Sequence, residues 1–215
     1  VPFHFRYCVD ELDEMPEYKM RKWYWDMEWQ QGGDYHDQLT TIVVYDNYDE
    51  KYYQWAWFPE ENIMEKRNLS WLEFPLENPI PSIFRTNGEW DEEKGDYSCN
   101  PVGSRIEFDN EKDMIENFMQ TMIIKDPDML IAWFGHFADL PKLFERACAV
   151  GLDPRIISPT ATIKGVKSVK DGFEFKYSEK GFSPIEQPIG GRITLSLDLA
   201  FERQWNDSQR GTLPS

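Results

Sequence analysis

Three carboxylates in this chain have the types and spacing to do chemistry. Asp26 and Glu28 sit two residues apart within Trp23-Tyr24-Trp25-Asp26-Met27-Glu28-Trp29. In an extended chain, residues two apart point to the same side. Both acids therefore share one face of a strand, where they can bind a hard divalent cation such as Mg²⁺, which takes oxygen ligands. The same spacing also suits a solvated strand face. The apolar flanks Trp23, Trp25, Met27 and Trp29 make an acid pair here more pointed. Asp139 follows the apolar run Met129–Phe134 and precedes Leu140-Pro141. It can cap a helix, a position that Asp favours and that Pro in the first turn supports. It can also be a strand-end carboxylate beside a helix start, where ligand sites form in α/β sheets. The two roles are compatible. His136 lies in the short turn Gly135-His136-Phe137-Ala138 and reads as a solvated turn residue. No nucleophile elbow, phosphate-cradling glycine loop, Ser-His or Cys-His machinery is visible.

These residues need elements to position them. Lys22–Trp29, Leu39–Tyr45 and Tyr52–Phe58 are rich in strand formers and are separated by the turns Gly32-Gly33-Asp34 and Asp46-Asn47-Tyr48-Asp49, which predicts an antiparallel meander. Asp109 can cap a helix from Glu111 to about Ile124, with Met114, Ile115, Phe118 and Met122 on one face. Asp126-Pro127-Asp128 breaks it. Met129–Phe134 reads as a central strand, and a helix follows Asp139 with Leu140, Leu143, Phe144 and Ala147 at helical spacing until Gly151. Residues 161–178 read as a β-hairpin turning at Asp171-Gly172. Ile193–Leu199 reads as a strand, and 200–205 as the start of a helix. The expected fold is α/β: a mixed sheet flanked by helices, in a single domain over 1–215 with an N-terminal extension (1–20), an insertion or long connection (60–104, with a short helix near Ile63) and the hairpin.

Composition narrows the function classes. The 215 residues carry 39 acidic and 23 basic side chains, for a net charge of −16, which argues against binding nucleic acid through a broad basic surface. It is compatible with a carboxylate site, where bound cations reverse the local sign. The aromatic load of 15 % falls mostly in strand-like runs and reads as core. Cys8, Cys99 and Cys148 lack zinc-site spacing and suggest an intracellular setting. No membrane span or signal peptide is visible, and a monomer is the default. Val1 and Ser215 both read as cuts in a longer protein.

In combination, Trp25-Asp26-Met27-Glu28, then Asp126-Pro127-Asp128-Met129-Leu130-Ile131 and Ala138-Asp139-Leu140-Pro141, and finally Gly191-Arg192, Asp198-Leu199 and Leu213-Pro214-Ser215 resemble the 3′→5′ proofreading exonuclease domain of family B DNA polymerases. The stretch 126–151 is the most specific part. The resemblance implies a ribonuclease H-like fold and two-metal hydrolysis of DNA phosphodiesters with Mg²⁺ or Mn²⁺, the ions ~3.5–4 Å apart. It implies that Asp26 bridges both ions, Glu28 binds the one that activates water and Asp139 serves the other. The single-stranded 3′ end of DNA and the rest of a parent polymerase are the implied partners. Asp198 falls in a structural strand of that pattern.

Two departures stand out. The family places an Asn shortly before the second-motif Asp and an aromatic directly before it. Phe134 or Gly135 and Ala138 occupy those positions here, with His136 the nearest substitute. A third motif, Tyr-x-x-x-Asp, belongs beyond Leu213-Pro214-Ser215, so the 215 residues are expected to fold, bind metal weakly and degrade DNA poorly. A stand-alone ribonuclease H-like nuclease and a non-catalytic exonuclease-like interaction module are the alternatives.

Overall fold

The computed structural model describes residues 19–57, 90–91, 96–97, 103–177, 181–183 and 186–209. The expected extension up to residue 18, the helix near Ile63, Cys8, Cys99 and Leu213-Pro214-Ser215 lie outside them. In chain order the elements are β1 (Lys22–Trp29), β2 (Leu39–Asp46), β3 (Lys51–Trp57), the two-residue strands β4 (Trp90–Asp91) and β5 (Asp96–Tyr97), β6 (Gly103–Phe108), α1 (Glu111–Lys125), β7 (Met129–Ala132), a π-helical turn (Gly135–Asp139), α2 (Leu140–Ala149), β8 (Val166–Val169), β9 (Gly172–Phe175), β10 (Ile193–Ser196) and α3 (Leu197–Gln209).

Six strands form one sheet in the order β10-β7-β1-β2-β3-β6. The β1–β2 and β2–β3 pairs are antiparallel, giving the expected meander. The β1–β7, β7–β10 and β3–β6 pairs are parallel. The sheet is therefore mixed and flanked by helices, the ribonuclease H-like arrangement. The hairpin over 161–178 is present as β8–β9.

Strict alternation decides which face of β1 is buried. Trp23, Trp25 and Met27 point into the core, and Tyr24, Asp26 and Glu28 point away from it. Ile42 and Val44 of β2 and Trp55 of β3 join the same core. Helix α1 lays Met114, Ile115, Phe118, Met119 and Met122 on that face. The Phe118 ring stacks on Trp25 at 6.1 Å and meets Trp55 edge-on at 5.2 Å. Helix α2 adds Leu140, Leu143, Phe144 and Ala147. Fully burying each such side chain contributes about 1.5–3 kcal/mol. Most of the tryptophans thus serve the core, as their strand setting suggested.

Polar ties close the edges. The buried Asp46 carboxylate, at the end of β2, accepts from Arg21 Nε (2.9 Å) and Nη2 (2.6 Å) and from Trp23 Nε1 (2.8 Å). Glu111 accepts the Leu39 N–H (2.8 Å) and a two-pronged contact from Arg146, which joins α1, α2 and the start of β2.

Several boundaries differ from the sequence reading. Asn110, not Asp109, caps α1, its side chain accepting from the Asp113 N–H at 2.9 Å. Strand β7 ends at Ala132, because Trp133 and Phe134 bend into the π-helical turn. Strand β10 ends at Ser196 and α3 starts at Leu197, so Asp198 lies in the first turn of a helix and not in a strand.

Candidate active site

Asp26 and Glu28 occupy the coreless face of β1, as their spacing predicts. The parallel pairing of β1 with β7 covers only Lys22–Tyr24 against Met129–Ile131. Both acids therefore lie past the point where β1 leaves β7, where β2 is the ladder partner. The pairing register shifts between Glu28 and Trp29, which sets Glu28 at an irregular strand end. Burial pushes the Asp26 carboxyl above the usual carboxylate range, offset in part by the Met27 N–H.

Asp139 reaches the same region from the other side. The turn that carries it is π-helical: the Leu140 N–H donates to Gly135 O, five residues back. Such turns widen the helix and recur at functional sites. Asp139 precedes α2, yet its side chain makes no capping hydrogen bond. It is 3 % exposed, and its Oδ2 has no hydrogen-bond partner. Of the two roles open to it, the structure removes the cap. Burial first, and then the negative charge of Asp26, push its carboxyl up to about 7, with Glu28 and Asp198 adding in the same direction. Asp26 and Glu28 thus lie near enough to disfavour ionisation of Asp139. Among the described residues no three His, Cys, Asp or Glu side chains form a ready-made metal cage. The groups that act on one another electrostatically here are all carboxylates, and one Asp139 oxygen is buried and unsatisfied. That donor set suits a hard divalent cation.

Two further residues differ from the sequence reading. His136 is not a solvated turn residue. It is 1 % exposed, with Nε2 2.8 Å from Thr194 Oγ1. Thr194 Oγ1 in turn meets Gln187 Oε1 at 3.3 Å, and His136 Nδ1 has no hydrogen-bond partner. Burial lowers the pKa of the ring and keeps it neutral. His136 ties the π-helical turn to β10. Asp198 lies close enough to raise the Asp139 pKa, while its own carboxylate accepts from Ser196 Oγ.

Sequence reasoning missed the aromatic side chains around the turn. Trp133, Phe134 and Phe137 are 51 %, 49 % and 54 % exposed, and Trp133 meets Phe134 edge-on at 6.2 Å. A continuous apolar run signals burial, so nothing in it marked Trp133 and Phe134 as surface residues. A cleft of about 600 Å³ runs along the sheet beside them, lined by Tyr24, Tyr45, Tyr52, Trp133 and Leu197, with Asp26 in its wall.

No curated protein matches the chain. Residues 39–199 match the family model described as DNA polymerase family B, exonuclease domain. The match contains Asp139 and begins after β1, so Asp26 and Glu28 stand on the geometry and on their motif. It covers well over half of the chain, which therefore belongs to the exonuclease domain family of family B DNA polymerases.

Proposed function

We propose that the chain is the 3′→5′ proofreading exonuclease part of a family B DNA polymerase, hydrolysing phosphodiesters at the single-stranded 3′ end of DNA with Mg²⁺ or Mn²⁺ held by Asp26, Glu28 and Asp139. The observation that carries this reading is Asp139, a buried carboxylate with one oxygen unsatisfied and a pKa raised by burial first and then by Asp26 and Glu28. A buried acid with no cap, no cation and no hydrogen-bond donor on Oδ2 costs stability, and a cation shared with Asp26 and Glu28 removes that cost.

Divalent ions at such a site supply an activated water and stabilise the leaving 3′ oxygen. The residues of this chain do the rest. Asp26 lines the cleft and shares its strand face with Glu28. Glu28 and Asp139 approach from two different elements and set the width of the site. Asp139 presents its free Oδ2 in a water-poor setting. The half-exposed rings of Trp133, Phe134 and Phe137 give terminal bases stacking surfaces, each worth about 1–3 kcal/mol. Stacking of this kind needs no basic surface, which accords with the charge of −16.

The test is a 5′-labelled single-stranded oligonucleotide incubated with the chain and Mn²⁺. Shortening from the 3′ end that Asp26→Asn abolishes supports the reading. Shortening that survives Asp26→Asn combined with Asp139→Asn refutes it.

A further inference from the structure

Nothing in the sheet ladder fixes the distance between Glu28 and Asp139. Strand β1 has parted from β7 before Asp26, and its register slips after Glu28. The turn that follows β1 is irregular, with Asp37 in the left-handed region (φ 67°). Asp139 rides on the start of α2. Beyond the shared core, the polar side chain that reaches from α2 to the residues just after β1 is Lys142.

Lys142 lies in the first turn of α2, three residues after Asp139. The helix dipole makes this a poor place for a cation, by about 0.3–1 kcal/mol. Its Nζ donates to Asp37 Oδ1 at 3.2 Å and to Glu145 Oε2 at 3.0 Å. It also stands 5.7 Å from the centre of the Trp29 ring, next in sequence to Glu28. The Lys142 side chain is 15 % exposed, although both of its carboxylate partners are largely open to solvent. Among the described residues this is the one ion pair that directly joins α2 to the β1–β2 hairpin.

We infer that Lys142 is a positioning residue. By clasping Trp29 and Asp37 to the first turn of α2, it sets the separation between Glu28 and Asp139. This role rests on the proposed metal site. A surface ion pair serving stability alone would contribute little and would leave metal affinity untouched.

The experiment compares the full chain with Lys142→Met, which keeps the stem against Trp29 and removes the charge, and with Lys142→Arg. Two quantities are measured: Mn²⁺ affinity by titration calorimetry, and amide hydrogen exchange over residues 29–39 and 135–139. In Lys142→Met, Mn²⁺ affinity should fall about tenfold, as for loss of a residue that orients metal ligands. Exchange over residues 29–39 should quicken, and Lys142→Arg should recover both. Unchanged exchange in Lys142→Met overturns the clasp. Faster exchange with unchanged Mn²⁺ affinity overturns the positioning role alone, leaving the metal site intact. A wild-type chain that binds no Mn²⁺ overturns the metal site, and this role with it.

Discussion

Replacing Asp139 by Asn tests the buried carboxylate through stability, with no need for activity. Asp139 is raised from the ordinary 3.8 to about 7. The folded chain therefore holds a proton that the unfolded chain has released between those pH values. By linkage, stability falls as pH rises through this window and levels off above the folded pKa. The shift is roughly three units, at about 1.4 kcal/mol each, so the site costs the metal-free chain on the order of 4 kcal/mol at pH 8 compared with pH 4. The group is 3 % exposed, so solvent does little to screen it. Asn has no charge to lose. With chelator present, the melting temperature of Asp139→Asn minus that of the wild type should rise from pH 5 to pH 8. That interval spans roughly two of the three units, about 3 kcal/mol, so at about 2–4 °C per kcal/mol for a chain of this size the change should be near 8 °C. Circular dichroism melts at the two pH values measure it. Adding Mn²⁺ at pH 8 should stabilise the wild type and not the variant. If the difference between variant and wild type is the same at pH 5 and pH 8, the burial and charge argument fails.

Other consequences follow from the packing and the site. Phe118→Ala, which empties the space among Trp23, Trp25 and Trp55, should cost about 3–5 kcal/mol in urea denaturation. Asp46→Ala leaves the buried Trp23 Nε1 without its acceptor, while Arg21 keeps Asp49 and the Lys125 carbonyl, and should cost about 1–3 kcal/mol. Burial alone would raise the Asp46 pKa, but the bonds from Arg21, Trp23 and the Tyr48 N–H outweigh it and hold it below the ordinary range. Its stabilisation is accordingly present at neutral pH and lost as pH falls through the ordinary carboxylate range, and acid titration of Asp46→Asn should lack that component. Phe137→Ala should weaken binding of a single-stranded oligonucleotide by about 1–3 kcal/mol in fluorescence anisotropy while leaving Mn²⁺ affinity unchanged.

The parts of the fold that were legible in the sequence are those governed by local periodicity. Alternation in Trp23–Trp29 fixed which face of β1 carries Asp26 and Glu28. Helical spacing of Met114, Ile115, Phe118 and Met122 fixed the buried face of α1. The strand, turn and helix around Asp139 were visible in order, but the nature of the turn was not. A five-residue π-helical turn and a plain turn share the same composition, and the choice depends on His136 reaching Thr194, 58 residues away. The same long-range bond buries a histidine that local sequence presents as a surface residue. The early start of α3 follows from Ser196, whose hydroxyl meets the Asp198 carboxylate, a local bond that competes with the strand. Lys142 carried no signal at all, since its partners Trp29 and Asp37 are assembled only by the fold.

The most direct measurement is electron paramagnetic resonance of Mn²⁺ titrated into the wild-type chain, Asp26→Ala and Asp139→Asn at pH 8. If Asp26, Glu28 and Asp139 form one metal site, the free Mn²⁺ signal should be depleted by the wild-type chain and restored to nearly its protein-free intensity by either variant. Equal depletion by all three proteins would mean that the ion binds elsewhere, and that these carboxylates are not the centre of the nuclease.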